Sequence, residues 1–373
     1  MSSQSFDLII VGAGVIGLAH AHIAAQRGLK VAVIERDHRC VGASIRNFGF
    51  VTVTGQRPGD TWRRACRSRD VWQSIAPAAG ISVEHRGLWL LARHAASLPV
   101  LEAFMGTAMG EECKLLSATE AAAWAPYLRT DGAVAALYSP HELRIESRTA
   151  ITLLAHWLQE AAGVTFFYGE EVLDIQPPAV RTARRTLHAE RVVVCPGTEL
   201  NGVAQQWLQE KNLRLTRLQM LRVRPEPGFR LDAAVMGDLS LVRYHGYADL
   251  APAAALREHL LTEESESLGH GIHLIAVQSR DGTLVVGDSH HDDASPEPFA
   301  SEAVDRLILR QLGATLQLEQ CEVVERWTGV YPTGGSSDCL IVAPDTATRV
   351  VVVTSGSGAS TAFGIAEDVF NNW

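Results

Sequence analysis

The fold of this chain is decided by the stretch Asp7-Leu-Ile-Ile-Val-Gly-Ala-Gly-Val-Ile-Gly17. An apolar run leads into three glycines spaced Gly-x-Gly-x-x-Gly, and a helical pattern follows to about Arg27. A second apolar run, Val31-Ala-Val-Ile-Glu35, ends in an acid. Strand, glycine turn, helix, strand and terminal acid in this order predict a βαβ unit that binds a dinucleotide.

Each part of this unit has a physical function. Gly12 permits a tight turn, Gly14 lets a pyrophosphate approach the backbone, and Gly17 lets the helix pack closely on the strand. The helix N-terminus offers free N–H groups and a positive dipole end to the phosphates. Glu35 is placed to accept hydrogen bonds from a ribose diol. The alternative, an ordinary βαβ unit with a glycine turn, rarely carries all of these features together.

Composition and charge exclude several classes of protein. The chain has 373 residues, enough for two domains, and its 47% hydrophobic and 20% charged residues are ordinary for a globular protein. Its net charge of −9, without a long Lys/Arg run, argues against nucleic acid or an anionic membrane as the main partner. The apolar start lacks a basic n-region and contains His20 and His22, so it does not indicate a signal peptide. No apolar segment is long enough to span a bilayer, and we expect a cytoplasmic protein.

The cysteines do not indicate a redox or zinc motif, because none of them forms a CxxC pair. We expect them to be reduced and mostly buried. They are Cys40, Cys66, Cys113, Cys195, Cys321 and Cys339.

The far end of the chain distinguishes a flavin from a nicotinamide cofactor. After the apolar run Val350-Val-Val-Val-Thr354, a second glycine turn with Gly356 and Gly358 opens a closing helix. A nicotinamide enzyme does not need this turn. In a flavoprotein of the glutathione-reductase-like type, the final helix N-terminus faces the flavin and stabilises negative charge that develops on reduction. A simple helix cap is the alternative interpretation.

The chain resembles the glycine oxidase, D-amino acid oxidase and sarcosine oxidase superfamily of FAD enzymes over essentially its whole length. The motifs that carry the resemblance are the first glycine turn, Val194-Cys-Pro-Gly197, Trp327-Thr-Gly329 and Val353-Thr-Ser-Gly-Ser-Gly358. The resemblance implies an α/β fold: a glutathione-reductase-like FAD-binding Rossmann domain with an inserted α+β substrate domain built on an antiparallel sheet. We expect residues 1–80, 140–215 and 322–373 to form the FAD-binding domain, and residues 81–139 and 216–321 to form the substrate domain.

Several stretches are similar to one narrower branch, the FAD-dependent oxidoreductases associated with bacterial phosphonate catabolism. They are Ala43-Ser-Ile-Arg-Asn-Phe-Gly49, Thr54-Gly-Gln56, His141-Glu-Leu-Arg-Ile-Glu-Ser-Arg148, Val286-Gly-Asp-Ser-His-His291 and Thr354-Ser-Gly-Ser-Gly-Ala-Ser-Thr361. The branch resemblance implies oxidative deamination or N-demethylation of 2-aminoethylphosphonate or its N-methyl derivative. Hydride would pass to flavin N5, and O2 or another electron acceptor would reoxidise the flavin, O2 giving H2O2.

The resemblance also assigns cofactor residues. The ADP half of FAD would be held by Gly12, Gly14, Gly17 and Glu35, with the neighbouring Arg36. Val172 would contact the adenine, and Gly197 would close the turn over the cofactor. The phosphates or the flavin ring would be contacted by Ser44, Arg46 and Asn47. The pyrimidine end of FAD would be lined by Gly329, Gly356, Gly358, Ser360 and Thr361.

Two departures from the family pattern bear on the chemistry. The cysteine that bonds covalently to flavin in sarcosine oxidases has no counterpart near residues 327–329, so we expect noncovalent FAD. The arginine that clamps a substrate carboxylate in glycine-oxidase-type enzymes is replaced by Tyr331 in Gly329-Val-Tyr331-Pro332. This replacement favours a small amine whose anion is held elsewhere.

Candidate substrate contacts are cations and hydrogen-bond donors. We predict positioning or electrostatic roles in catalysis for Arg46, His245, His290 and Tyr331, and substrate binding for Gln56, Arg144, Arg148 and Thr328. Structural alternatives stay open for these residues. Residues 139–148 are interpreted as a polar turn, in which the arginines could pair with Glu142 and Glu146. His245, beside Tyr244 on a strand predicted at 240–244, could equally lie in the core or at its rim. The run His290-His291-Asp292-Asp293 is interpreted as a loop with incidental histidines, so no metal is expected.

The alternatives for function also stay open. A glycine, sarcosine or D-amino acid oxidase, or a dehydrogenase that passes electrons to a carrier, fits the superfamily resemblance equally. An FAD-binding regulatory protein without turnover is the alternative outside the enzymes.

Overall fold

The structure, a computed structural model, describes residues 5–335 and 337–373. Its strands are β1 (Ser5–Val11), β2 (Val31–Glu35), β3 (Phe50–Val51), β4 (Val83–Ala92), β5 (Lys114–Leu116), β6 (Ala135–Ile145), β7 (Thr165–Tyr168), β8 (Val172–Gln176), β9 (Ala179–Thr182), β10 (Thr186–Val194), β11 (Leu213–Pro225), β12 (Ala234–Gly237), β13 (Ile275–Gln278), β14 (Leu284–Gly287), β15 (His291–Asp293), β16 (Cys321–Gly334), β17 (Cys339–Val342) and β18 (Thr348–Val353). Its α-helices are α1 (Val15–Gln26), α2 (Asp60–Ile75), α3 (Ser97–Met105), α4 (Ala118–Trp124), α5 (Ser147–Ala162), α6 (Gln205–Leu208), α7 (His245–Ala248), α8 (Ala253–Glu263), α9 (Ser265–Gly269), α10 (Glu302–Thr315) and α11 (Gly358–Asn371). Short 3-10 turns lie at Ala43–Ile45, Ala108–Gly110 and Asp238–Val242.

The first sheet has the strand order β17-β18-β10-β1-β2-β7. Strands β18, β10, β1, β2 and β7 run parallel, β17 is an antiparallel edge, and the β8–β9 hairpin extends from β10. The central strands are apolar on both faces because both faces are covered. Helices α1, α5 and α11 pack on one face, and α2 lies against α11. This is the expected α/β unit with a Rossmann-type parallel sheet.

The second sheet has the order β15-β11-β14-β13-β12-β4-β6-β3, with β16 paired to β11 and β5 paired to β6. Its pairs are antiparallel except β12 with β4, which are parallel. One apolar core lies on each face, one formed with α3 and α8 and the other with α10. The α+β character expected for this part of the chain is therefore present.

Two local expectations are wrong. Residues 139–148 are not a turn, because β6 continues to Ile145 and α5 begins at Ser147. The polar residues of this strand are buried against long-range partners: Glu142 Oε1 accepts the Thr54 N–H at 2.8 Å. The run at 240–244 is not a strand; the chain turns through Asp238–Val242 and enters α7 at His245.

Sheet membership shows how the chain passes between the two layers. The second sheet includes β3, β6 and β16. The ranges that the sequence analysis assigns to the FAD-binding domain nevertheless contain β3, the end of β6 and most of β16. Where independently folding units would divide stays a prediction. In the described part of the chain, no helix combines the length and apolar character needed to cross a bilayer.

Candidate active site

A cleft of about 820 Å³ opens at the carboxyl ends of β1, β10 and β18, which is where ligands bind in parallel sheets. Its opposite wall comes from β11 and β16 of the second sheet, through Leu218 and the segment 329–333. Strands that are far apart in sequence therefore contribute to one cavity. Its volume is in the range of cofactor sites in proteins.

The first glycine turn forms one end of this cleft. Gly12 has φ +101°, and a Cβ there would lie 2.4 Å from the Cys195 carbonyl oxygen. A Cβ on Gly17 would lie 1.9 Å from the Gly12 carbonyl oxygen. A side chain at Gly17 would therefore push α1 away from β1, and one at Gly12 would strain the backbone and push the turn away from the end of β10.

Glu35 supports the turn from the end of β2. Its Oε2 accepts the Ala13 N–H at 2.8 Å, and its Oε1 accepts the Asp37 N–H at 3.0 Å. A carboxylate has about four acceptor sites, so each oxygen keeps one for another donor. Arg36 instead forms an exposed ion pair with Glu199 at 2.7 Å.

The segment 43–49 runs beside the turn. Ser44 Oγ accepts the Val15 N–H at 2.9 Å, which holds this segment on the first turn of α1. Asn47 donates to the Ala43 carbonyl oxygen at 2.9 Å and accepts the Gly49 N–H at 2.7 Å. Arg46 Nε donates to the Val41 carbonyl oxygen at 2.8 Å, and this arginine lines the cleft.

The start of α11 forms a second helix terminus at the same cleft. Gly356, with φ +70°, precedes it, and Gly358 begins it beside Val15 and Ile16 of α1. Neither α1 nor α11 has a side-chain hydrogen bond at its N-cap. Ser44 Oγ takes the Val15 N–H of α1, and among the described residues no side chain accepts from the other first-turn N–H groups of the two helices. Two positive dipole ends at one cleft favour a ligand with negative or strongly polar groups.

The substrate end of the cleft contains an arginine that the sequence interpretation did not consider. Arg243 lies just after the 3-10 turn Asp238–Val242, is exposed, lines the cleft, and its Nη2 donates to Tyr331 Oη at 3.3 Å. Tyr331 packs against the second glycine turn, because a Cβ on Gly356 would lie 3.1 Å from its ring. Because the sequence pattern predicts a strand at 240–244, it does not predict that Arg243 lines the cleft.

A buried His–Asp–His cluster lies beside Arg243. His273 Nε2 is 3.4 Å from Asp288 Oδ1, and His290 Nε2 is 3.6 Å from Asp288 Oδ2. Burial raises the pKa of Asp288 to about 7, although the positive charge of Arg243 acts in the opposite direction. Burial lowers the pKa of both histidines well below the ordinary value, so they are neutral at pH 7. The residues 290–293 do not converge on one site. His291 contacts His270, and Asp292 accepts a hydrogen bond from Thr216.

The cleft brings together most of the predicted site residues. Those that line it are Gly14, Gly17, Ser44, Arg46, Asn47, Gln56, Gly197, His245, His290, Gly329, Tyr331, Gly356, Gly358 and Ser360. Gly12, Glu35 and Thr361 lie directly behind this lining, with Thr361 Oγ1 donating to the Ser357 carbonyl oxygen at 2.9 Å. Gln56 is nearly buried, and its Nε2 donates to the Thr52 carbonyl oxygen. His245 contacts Asp249 at 3.0 Å.

Other predicted site residues lie outside the lining. Arg144 is fully buried and pairs with Glu146 at 3.1 Å, and Arg148 pairs with Glu325 at 2.9 Å. Thr328 lies opposite Gln219 in the β11–β16 ladder. Val172 begins β8, and its contact with adenine stays a prediction. The geometry does not support substrate contact by Arg144 or Arg148, because each already has a carboxylate partner.

Comparison with known proteins identifies the family. The family model for FAD-dependent oxidoreductases of the DAO type matches residues 7–371. The chain belongs to this family. FAD is therefore its cofactor, and the non-catalytic reading of the sequence is not supported.

Solved structures share the fold. Glycine oxidase from Geobacillus kaustophilus superposes with a TM-score of 0.78 at 19% identity, covering 99% of this chain and 94% of that one. L-proline dehydrogenase from P. horikoshii gives a TM-score of 0.79 at 17% identity, covering 98% and 92%. FAD-bound L-α-glycerophosphate oxidase from Mycoplasma pneumoniae gives 0.73 at 18% identity, covering 99% and 95%. These likenesses confirm the glutathione-reductase-like FAD-binding fold.

A local sequence match is shorter. The chain is 38% identical over 53 residues to a 3-oxosteroid 1-dehydrogenase of Mycobacterium tuberculosis, which is 14% of this chain and 9% of that protein. The match therefore spans about a tenth of the relative's length and carries no conclusion about the substrate.

The residues of the cleft fit FAD. The turn at Gly12 and Gly17 leaves no room for side chains, and the two helix starts offer unpaired donors. Cys195 and Cys339 line the cleft, but burial raises the pKa of both thiols, that of Cys339 to about 12. Thiols in this state are poor nucleophiles. A noncovalent cofactor stays a prediction, which is tested below.

Proposed function

We propose that the protein oxidises a small amine that carries an anionic group, and that this amine is 2-aminoethylphosphonate or its N-methyl derivative. The observation that supports the proposal is the pair of Arg243 and Tyr331 at the cleft, next to the glycine turn of α11. The guanidinium and the phenol are donors suited to an oxyanion. The phosphonate itself rests on the branch resemblance of the stretches 43–49, 54–56, 141–148, 286–291 and 354–361.

The charges of the cleft fit this choice. Four arginines line it, and Arg57 and Arg64 are paired with Asp338 and Asp368. Among the described residues Arg46 and Arg243 have no carboxylate partner, so two cations are left for a ligand with negative charge. The family to which the chain belongs shares its fold with an oxidase of L-α-glycerophosphate, a substrate with a phosphorus oxyanion. A carboxylate would engage one arginine equally well, so a glycine, sarcosine or D-amino acid substrate is the second candidate, favoured by the fold likeness to glycine oxidase.

The residues of the chain position the reactants. Arg243 and Tyr331 would hold the substrate anion and so fix the distance of its amine from the ring-binding end of the cleft. The start of α11 would stabilise negative charge at that end. FAD, when bound, supplies the hydride acceptor, and O2 or another acceptor takes the electrons, O2 giving H2O2. The substrate loses a hydride and a proton to become an imine, which water hydrolyses. Oxidation of the chain carbon gives an aldehyde with ammonia or methylamine, and oxidation of the N-methyl carbon gives formaldehyde and 2-aminoethylphosphonate.

The test is the visible spectrum of the purified holoenzyme under anaerobic conditions. We expect the flavin bands to bleach on addition of N-methyl-2-aminoethylphosphonate or 2-aminoethylphosphonate. If glycine, sarcosine or D-alanine bleaches the flavin bands and neither phosphonate does, the phosphonate substrate is excluded and an amino acid oxidoreductase remains. Admission of air then distinguishes an oxidase from a dehydrogenase, because only an oxidase regains its colour rapidly and releases peroxide.

A further inference from the structure

The buried His–Asp–His cluster is a candidate metal site that the reaction proposed above does not use. His273 lies just before β13, and Asp288 and His290 follow β14. These two strands are antiparallel neighbours, with Ile275 opposite Gly287, so the start of one meets the end of the other. The sheet therefore brings three potential ligands together at the wall of the cleft.

The hydrogen bonds of the cluster direct lone pairs toward one another. His290 Nδ1 lies 2.9 Å from the Gly271 carbonyl oxygen, which can only accept, so the ring proton is on Nδ1 and Nε2 carries a lone pair. That nitrogen faces Asp288 Oδ2. Among the described residues, Asp288 Oδ1 has no hydrogen-bond donor, although the residue is only 4% exposed. Acceptors that face each other without a donor repel, and a shared cation removes this repulsion.

The distances also fit a metal better than direct hydrogen bonds. The separations of 3.4 and 3.6 Å are longer than an ordinary N–H···O bond of about 2.7–3.2 Å. Two ligands bound at about 2.0–2.1 Å to one tetrahedral ion lie about 3.3 Å apart. The hydrogen bond from His290 Nδ1 to a backbone carbonyl is the usual support of a metal-binding imidazole.

We propose that His273, Asp288 and His290 bind a divalent transition-metal ion at the wall of the cleft. Two imidazoles and one carboxylate suit ions such as Zn²⁺. Three protein ligands leave a coordination position open, and all three residues line the cleft, so the open position faces the cavity near Tyr331. Arg243 places a positive charge nearby, so we expect moderate affinity, in the micromolar range rather than that of a structural zinc site.

The test measures Zn²⁺ binding to the FAD-loaded, tag-free protein after chelator treatment and gel filtration, by calorimetry and by metal analysis after equilibrium dialysis. We expect about one equivalent to bind. Asp288→Asn, which keeps the side-chain shape, and His290→Ala should each weaken binding by at least tenfold. Flavin absorbance and thermal unfolding identify any variant that has failed to fold. The measurement needs no turnover, so it is independent of the identity of the substrate.

The neighbouring pair His270 and His291 supplies the matched control. Its ring nitrogens lie 3.0 Å apart, close enough for a hydrogen bond between them. His270→Ala should leave the Zn²⁺ stoichiometry and affinity unchanged. Failure of the wild-type protein to bind Zn²⁺ below millimolar concentration would overturn the proposal. Equal binding by wild type and Asp288→Asn, or loss of binding in His270→Ala, would also overturn it.

Discussion

At the scale of single residues, Arg243 is the group on which recognition of the substrate anion depends in the proposed reaction. Replacing it with Gln keeps hydrogen-bond donors but removes the charge from the pair with Tyr331. A charged hydrogen bond is worth about 1.5–3 kcal/mol, so we expect KM for the anionic amine to rise about 10- to 100-fold. Steady-state peroxide release, or anaerobic flavin reduction where O2 is not the acceptor, measures this.

The control for this variant is Arg148→Gln. Arg148 is an arginine outside the cleft lining, paired with Glu325, and its replacement should leave KM within about twofold. If the two variants had the same KM, Arg243 would not bind the substrate anion.

Gly17 should control FAD binding through the shape of the first turn. A methyl group there would lie 1.9 Å from the Gly12 carbonyl oxygen, so Gly17→Ala must shift α1 relative to β1. We expect the purified variant to retain less than about a tenth of the wild-type flavin, because the helix N-terminus no longer meets the phosphates. The ratio of flavin to protein absorbance measures this. Gly313→Ala, in α10 with no atom within 4 Å of the added carbon, should retain full flavin content.

The sequence predicts the turn residues well because their requirements are local. Gly17 is required by its contact with the nearby Gly12 carbonyl oxygen and Gly12 by its own φ of +101°, and the spacing of the glycines reveals both. Arg243 and Asp288 have no such signature. Their positions depend on contacts between distant segments, Arg243 with Tyr331 of β16 and Asp288 with His273 just before β13, and no short pattern encodes these contacts.

At the scale of elements, β6 shows how buried polar residues mislead a sequence interpretation. Its polar residues suggest a solvated turn, yet Glu142 and Arg144 are both fully buried. Thr54 is the distant partner of Glu142, and Ser279 is the distant partner of Arg144, which also pairs with its sequence neighbour Glu146 as the pattern of charges allowed. Burial of polar groups requires such partners, and the sequence does not show the two distant ones.

Arg144 should therefore act on stability rather than on substrate binding. Its removal leaves Glu146, which also accepts from Ser279 at 2.8 Å, without its nearest cation, and the remaining cation, Arg222, is 3.9 Å away. We expect Arg144→Ala to lower the free energy of unfolding by about 3–5 kcal/mol. Arg148→Ala, which breaks a half-exposed pair, should cost less than about 1 kcal/mol. Denaturant unfolding of both variants gives the comparison, and a wild-type stability for Arg144→Ala would contradict the assignment.

The turn at Asp238 should make stability depend on pH. Asp238 Oδ2 accepts from the N–H groups of Arg93 and His94, from His94 Nδ1 and from Ser97 Oγ, at 2.8–3.0 Å. The hydrogen bond to Asp238 raises the pKa of His94, and the same contacts lower the pKa of Asp238 against its burial.

These two pKa shifts decide in which pH range the contacts of Asp238 stabilise the fold. A raised histidine pKa stabilises the fold fully below 6.5, and this contribution is lost as the pH rises through the folded value. A lowered aspartate pKa stabilises the fold fully above 3.8, and this is lost as the pH falls through the folded value. The pair should contribute most between pH 3.8 and 6.5. Thermal unfolding of His94→Gln should show a smaller decline than wild type as the pH rises above 6.5. Parallel profiles would contradict this.

At the scale of the whole molecule, the cleft couples the two ends of the chain. The turn at Gly12 and the start of α11 at Gly358 are at opposite ends of the sequence, yet both meet the same cavity. The second sheet supplies the other wall, so FAD seated in this cleft would contact both layers as well as both ends of the chain. The sequence indicates the two termini of the site and, through Trp327-Thr-Gly329, the strand β16 of the other wall. It does not indicate β11, which carries no cofactor motif of its own.

A noncovalent cofactor held in this way should stabilise the whole fold by mass action. At a free FAD concentration about 100 times Kd, the free energy of unfolding should rise by about 2.7 kcal/mol, and the melting temperature should climb with FAD concentration. Acid precipitation should release the flavin into the supernatant, since the cleft thiols of Cys195 and Cys339 are protonated and buried. Flavin that stays with the precipitate would reveal a covalent bond. Gly17→Ala supplies the control, because a protein that cannot seat the phosphates should show no rise in melting temperature at the same FAD concentrations. A rise equal to that of wild type would show that the stabilising contacts lie away from the first glycine turn.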